Sequence, residues 1–293
     1  MLTGVASFAQ QDAQFTQYMY NTINVNPAYA GSRGAMSIFG LYRTQWVGLD
    51  GAPKTAAFSM NTPISNTNLG LGLSFTNDEI GPTVENTISV DVSYTVNTSE
   101  TFKLSFGLKG TANFFNLNAG DLRPENQNDA SLNSYDKFSP NLGAGIYFHS
   151  DKTYIGLSVP GFIEAKQKFD DNTTSITTQN INYYLIAGHV FDFSPNLKFK
   201  PAVMTKAVEG APLQVDVSAN FMLYDKLVLG AAYRWDAAVS ALAGFQITDG
   251  LYIGYGYDLE TTRLRKYNSG SHEIFLRYEL FNNFNKITSP RFF

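Results

Sequence analysis

From Thr87 to Val96 the chain alternates strictly, with Ile88, Val90, Val92, Tyr94 and Val96 apolar and the residues between them polar. A period of two is the signature of a β-strand with two unlike faces. Asn97-Thr98-Ser99-Glu100 then turns the chain, and the alternation resumes at Phe102, Leu104, Phe106 and Leu108. With their flanks, 83–96 and 101–116, both strands reach the roughly 9 to 11 residues that a tilted strand needs to cross a bilayer. Similar segments recur from residue 35 onward and predict fourteen strands: 35–43, 53–61, 69–77, 83–96, 101–116, 139–149, 152–159, 179–192, 196–205, 212–224, 226–236, 238–248, 250–258 and 271–281.

The connections sort into two classes. Every second one is tight, at 62–68, 97–100, 150–151, 193–195, Asp225 and Asp249, whereas the intervening ones include the long stretches 117–138, 160–178 and 259–270. Short turns on one side, longer loops on the other and an even strand count predict an all-β, transmembrane, antiparallel up-and-down barrel with both termini on the turn side. Pro201 falls inside a predicted strand and calls for a bulge or a shifted boundary there.

That register assigns the two faces. Val90, Val92, Tyr94, Phe102, Leu104, Phe106, Leu142, Ile146, Val215, Val217, Leu227, Leu229, Tyr233, Trp235, Ile253, Tyr255, Ile274, Leu276 and Tyr278 face lipid. Asp91, Lys103, Lys109, Asp216, Arg234, Arg277 and Glu279 face inward, where a charge avoids the about 2 to 4 kcal/mol that it costs at the lipid midplane. Gly70, Gly72, Gly107, Gly143, Gly145, Gly230, Gly244, Gly254 and Gly256 share the inward face. Glycine weakens a strand, so a row of it predicts a backbone packed close to the wall, supplied by the N-terminal segment or a partner chain. Tyr42, Phe75, Phe148, Tyr183, Tyr224, Tyr252 and Tyr257 lie near strand ends, as an interfacial aromatic girdle would, and Trp46, in the first predicted external connection, is either a girdle anchor or a loop-packing or partner contact.

Composition narrows the chemistry. Only 16% of the chain is charged, below the quarter typical of soluble proteins, and 23 Phe and 17 Tyr enrich it in aromatics. Cysteine is absent, which removes disulfides, thiolate metal sites and a cysteine nucleophile. A net charge of −4 without a basic stripe gives no support to nucleic-acid binding. His149, His189 and His272 fall on different strands at no metal-ligand spacing, and His149-Ser150 lacks an oriented third member for hydrolysis. No cofactor, metal or catalytic residue is therefore assigned. Arg263, Arg265 and Lys266 could meet lipopolysaccharide or a protein from the last loop, although a solvated face explains them as well.

Ahead of the barrel, Met1 to Ala9 reads as a residual signal peptide ending in small residues, with the mature chain starting at Gln10. Residues 10–34 form a non-barrel segment, periplasmic or packed in the lumen. Phe15, Tyr18 and Met19 are at helical spacing, and Asn26-Pro27 ends any helix. The barrel spans 35–281, and 282–293 is a periplasmic tail.

Gln14-Phe15-Thr16-Gln17-Tyr18-Met19-Tyr20-Asn21, Asn26-Pro27-Ala28-Tyr29-Ala30-Gly31 and Gln45-Trp46 with Gly51-Ala52-Pro53 carry a resemblance. So do Tyr233-Arg234, Leu251-Tyr252-Ile253-Gly254-Tyr255, Tyr257-Asp258, Tyr267-Asn268-Ser269-Gly270-Ser271-His272-Glu273-Ile274 and the closing Ser289-Pro290-Arg291-Phe292-Phe293. In this order they resemble the PorP/SprF family of type IX secretion system outer-membrane proteins of Bacteroidota. The resemblance implies a non-enzymatic barrel of the secretion and gliding machinery. Its implied task is to bind and anchor a secreted adhesin by a type B carboxyl-terminal domain, with type IX components in the periplasm and lipid and lipopolysaccharide around the wall. It also implies loops at the cell surface and both termini in the periplasm. Two alternatives stay open: a structural link to periplasmic ring or peptidoglycan-binding components, and a passive channel for small or hydrophobic solutes. The motif residues Tyr18, Asn21, Asn26, Pro27, Gln45, Trp46, Ser271, His272 and Glu273 are the candidate scaffold or partner-binding positions.

Overall fold

The alternation closes into a barrel. The computed structural model describes residues 15–16, 18–118, 134–168 and 175–280, without the side chains of Tyr135, 165–168 and 175–179. Its strands are β1 (Met36–Thr44), β2 (Lys54–Pro63), β3 (Leu69–Ile80), β4 (Thr83–Asn97), β5 (Lys103–Leu117), β6 (Tyr135–His149), β7 (Thr153–Val159), β8 (Ala165–Lys168), β9 (Ser175–Gln179), β10 (Asn182–His189), β11 (Phe191–Ser194), β12 (Leu197–Val208), β13 (Gln214–Leu223), β14 (Leu227–Arg234), β15 (Ala238–Gln246), β16 (Leu251–Glu260) and β17 (Ser271–Leu280).

Each barrel strand pairs antiparallel with its neighbours in sequence, β1 pairs with β17, and β10 pairs with β12 across the short β11. Fourteen strands complete the wall; β11 continues the line of β10, and β8 and β9 form a separate hairpin in one of the long connections. Full closure matters in lipid, because it leaves no strand edge with unpaired backbone groups.

Six connections on one end, 64–68, 98–102, 150–152, 195–196, 224–226 and 247–250, are five residues or shorter. This is the turn end. The 224–226 connection places Tyr224 and Asp225 at φ 53 and 54, the pair of positive angles that a type I′ hairpin requires. The other, loop end carries 45–53, the β8–β9 hairpin and 261–270 with its 3-10 turn Arg263–Lys266.

Pro201 lies within a continuous β12, in unbroken register with Ala219 of β13. The expected irregularity falls on the strand facing it instead: β10 stops at His189 and β11 restarts at Phe191. Proline has no N–H to give the ladder, and Val190 turns its own N–H to the Lys152 carbonyl.

The outer surface is the apolar face read from the sequence, with Val90, Val92, Tyr94, Phe106, Leu142, Ile146 and Leu276 exposed along it. Asp91, Lys109, Asp216, Arg234 and Arg277 are buried inward, whereas Lys103 ends its strand exposed at the turn end. Tyr224 and Trp235 mark the two rims. Tyr252 leaves the girdle: it is 1% exposed and points into the lumen. Parity explains the correction, since Tyr252 shares a face with Gly254 and Gly256 while Ile253 and Tyr255 point out.

Candidate functional site

The lumen holds the chain's own N-terminal segment. Residues 18–34 run along the inner wall as a 3-10 turn (Tyr18–Tyr20), one α-helical turn (Thr22–Val25) and a second 3-10 turn (Pro27–Tyr29). Asn26 caps the last of these, its Oδ1 accepting from the Ala28 N–H at 2.9 Å while its Nδ2 donates to the Ile146 carbonyl at 3.0 Å. The helical spacing of Tyr18 and Met19 and the stop at Asn26-Pro27 thus appear as a run of short turns, too short to persist in water without the wall.

The wall is shaped for that segment. Register places Gly70, Ser93, Gly107, Gly145 and Ser158 side by side across five strands, β3 to β7. A Cβ on Gly107 would stand 2.2 Å from the Ala28 nitrogen, one on Gly70 2.3 Å from the Ala30 oxygen, and one on Gly145 2.3 Å from Asn26 Oδ1. The serines in the row satisfy the backbone that the glycines admit: Ser93 donates to the Ala30 carbonyl and Ser158 to the Val25 carbonyl, each at 2.7 Å. Lys109, paired with Asp91 at 3.0 Å, donates to the Ile23 carbonyl at 3.2 Å. Carbonyls buried in a lumen need such donors.

Tyr20 anchors the middle of the segment. Its ring lies 4.8 Å from Phe275 and 5.5 Å from Tyr252, and the two phenol oxygens are 3.2 Å apart. Lys200 and Arg277 sit over the same rings, Lys200 at 5.3 Å from Tyr20 and Arg277 at 4.9 Å from Tyr252. These are cation–π distances in a desolvated place, where such contacts are strongest. Toward the turn end, Arg33 pairs with Glu279 and donates to the Tyr29 hydroxyl.

At the loop end a buried ionic cluster grips the first described residues. Arg43 pairs with Asp258 at 2.8 Å and with Glu273 at 3.4 Å. Thr16 donates its N–H to Glu273 at 2.8 Å and its hydroxyl to Asp258 at 2.6 Å. Arg234 pairs with Asp216 at 2.6 Å and donates to the Phe15 carbonyl at 2.9 Å. Thr16 therefore stands at the loop end and Leu280 at the turn end. The described chain crosses the lumen once before the barrel begins; the expectation that both termini share one side falls on residues 1–14 and 281–293, which lie outside the described residues.

The candidate positions divide into two groups. Tyr18, Asn21, Asn26 and Pro27 belong to the lumen segment, where Asn21 accepts from Ser59 at 3.0 Å and Pro27 packs on Gly107 and Gly145. Gln45, Trp46, Ser271, His272 and Glu273 meet where the first and last loops join. The Val47 N–H donates to the Gly270 carbonyl at 2.9 Å and the Ser269 N–H to the Val47 carbonyl at 2.8 Å, which zips the two loops. Trp46, at φ 47, donates its backbone N–H to the Ser271 hydroxyl and its indole N–H to Glu260 at 2.9 Å. The indole is thus a loop fastener. Gln45 accepts from Arg43 at 3.4 Å. His272 and Glu273 point to opposite faces: His272 meets the outward Tyr255 hydroxyl at 2.6 Å, while Glu273 is fully buried with Arg43. Sequence reading missed Arg43, Asp258 and Thr16 as a unit, because 242 positions separate Thr16 from Asp258. Among the described residues no group of three His, Cys, Asp or Glu could hold a metal ion.

Solved structures share this architecture. The chain is similar to the outer membrane protein Omp33 of Acinetobacter baumannii, at 8% identity and TM-score 0.50, covering 84% of this chain and 98% of that one. It is also similar to the CymD monoaromatic hydrocarbon channel, at 11% identity, TM-score 0.50 and coverage of 92% and 94%. A deletion mutant of the TodX monoaromatic hydrocarbon channel aligns at 10% identity, TM-score 0.52 and coverage of 91% and 94%. These likenesses show the outer-membrane barrel fold. No curated protein matches the sequence. The model of one family, described as type IX secretion system membrane protein PorP/SprF, matches residues 7–278. A match over nearly the whole barrel and its lumen segment makes this chain a member of the PorP/SprF family of outer-membrane barrels of type IX secretion.

Proposed function

We propose that this barrel is a non-enzymatic receptor of the type IX machinery that binds a secreted surface protein by its carboxyl-terminal domain, of type B, and fixes it in the outer membrane. The observation that carries this reading is the filled lumen. With Tyr20, Asn26 and Ala28 seated against the wall, the interior is committed to the chain's own backbone, which leaves recognition to the ends. The two ends are unequal: no turn-end connection exceeds five residues, whereas among the described residues the connections with extra structure lie at the loop end. Loops are where a rigid scaffold presents its contacts. In this arrangement the loops face the cell surface, Leu280 faces the periplasm, and the lumen segment enters from the outer mouth.

The test is removal of residues 120–132, which leaves β5 and β6 whole. Loss of the surface protein from cells that retain a folded, heat-modifiable barrel supports the proposal. Undiminished display, with loss of periplasmic components from the co-purified complex, transfers the function to the turn end as a structural link. A large steady current from purified barrel in a planar bilayer favours the passive channel instead.

A further inference from the structure

β4, β5 and β6 each run fifteen residues, more than the roughly 9 to 11 that a tilted strand needs to cross a bilayer. The surplus stands at the loop end. There the outward positions turn polar: Asn77 donates its amide to Asn86 at 3.0 Å and Asn116 donates to Asp136, whereas Val90, Leu108 and Leu142 line the wall below.

The upper part of β6 has a strand on one side alone. β5 pairs with all of β6, from Leu117 opposite Tyr135 to Lys103 opposite His149, whereas β7 pairs only with residues 144–149. β8 and β9, which follow in the chain, form their own two-stranded sheet. Alternate residues of a strand aim both backbone groups at the same neighbour. The Leu142 carbonyl accepts from the Phe162 N–H at 2.7 Å, on the side away from β5. The N–H and carbonyl groups of Asp136 and Phe138 and the Pro140 carbonyl therefore aim that way too.

The chain closes this edge at its lower end and leaves it open above. Pro140 has no N–H to present. Asn141 covers the next position with its side chain: Oδ1 accepts from the Leu142 and Ile163 N–H groups, each at 2.9 Å, and Nδ2 donates to the Ile163 carbonyl at 2.8 Å. At Asp136 and Phe138 no such cover stands, and on that side neither has a backbone partner among the described residues. Beside them the Phe138 ring, 56% exposed, lies 5.2 Å from the Phe114 ring, 45% exposed. Donors and acceptors repeating at every second residue along one line match the backbone of another extended chain, for which an open edge is a template. An aromatic on that edge favours an apolar side chain directly across, where paired Cβ atoms approach to about 4.5 to 5.5 Å.

We propose that β6, from Asp136 to Pro140, accepts an extended segment of a partner polypeptide as an added strand, with an apolar side chain of that segment packed on Phe138 and Phe114. The site deepens the recognition proposed at the loop end and rests on it only for the source of the strand; the edge itself follows from register.

The experiment follows amide hydrogen exchange in the full-length barrel in detergent. The probes are a short peptide of alternating threonine and valine with one central phenylalanine, and the same peptide with all its central nitrogens methylated. The Asp136 and Phe138 amides should exchange freely in the barrel alone, and should slow by about tenfold or more with the first peptide and not with the second. Asp136→Pro removes an N–H that gives nothing to β5, so the barrel keeps its fold, read by heat modifiability, and loses the protection at Phe138; Asp136→Asn keeps that protection. Phe138→Ala weakens peptide binding about tenfold. Slow exchange of both amides before any peptide is added, equal protection by the methylated peptide, or no protection at millimolar peptide overturns the proposal. So does a dimer of barrels that forms through this edge and disappears in Asp136→Pro. Peptide pairing together with undiminished surface display from Asp136→Pro cells supports the strand site and counts against the surface protein as its source.

Discussion

Gly107→Ala adds a single methyl group at the point where the lumen segment lies closest to the wall. The new Cβ would stand 2.2 Å from the Ala28 nitrogen, 2.4 Å from the Pro27 carbonyl carbon and 2.5 Å from the Ala28 Cα. All three are backbone atoms, so no rotamer change relieves the overlap. Ordinary contact begins at 3.4 Å, and the segment must recede by more than an ångström to regain it. That movement strains the Asn26 bond to the Ile146 carbonyl and the Ser93 bond to the Ala30 carbonyl on either side. Overpacking of this kind costs about 1 to 3 kcal/mol, and more where the backbone cannot yield. Gly110→Ala is the internal control, three residues along β5, with nothing within 4 Å of its Cβ and an outward position. A strand alanine without contacts changes stability by about 0.5 kcal/mol or less. Urea unfolding from lipid vesicles measures the difference, and planar-bilayer conductance reports whether the segment has left the wall. Gly107→Ala should be less stable than Gly110→Ala and should show open-channel events that Gly110→Ala lacks. Equal stability together with equally quiet bilayers would refute the argument that the glycine row exists to seat residues 26–31.

Other consequences are open to measurement. Arg43→Leu strips the shared cation from Asp258 and Glu273 and should cost about 3 to 5 kcal/mol in vesicle unfolding; adding Glu273→Leu should recover part of it, because a buried unpaired charge is the main penalty. Trp46→Phe deletes the indole bond to Glu260 at a half-exposed site. It should cost about 1 kcal/mol, read as faster amide exchange in 45–50 and 266–271 with the barrel's unfolding midpoint unchanged. Removing residues 15–34 should raise single-channel conductance well above that of the full chain. An equally low current after removal would mean that something else closes the lumen.

The sequence alone determined the barrel. Alternation of two residues over each long segment, with charges kept to one face, leaves the lipid-facing side no other arrangement, and the alternation of short and long connections orders the strands. The glycines even announced a close backbone neighbour, since an inward row of residues without side chains leaves space that has to be filled. Local pattern could not name that neighbour's path. Thr16, Arg43, Asp258 and Glu273 come together only when β1 pairs with β17 and the segment threads the lumen from the loop end. Tyr252 was placed in the girdle as a strand-end aromatic, whereas its parity with Gly254 and Gly256 turns it inward, where it stacks on Tyr20 and Phe275. Periodicity is a property of neighbouring residues, whereas contact across a closed barrel is a property of register, and register is fixed only when the sheet closes.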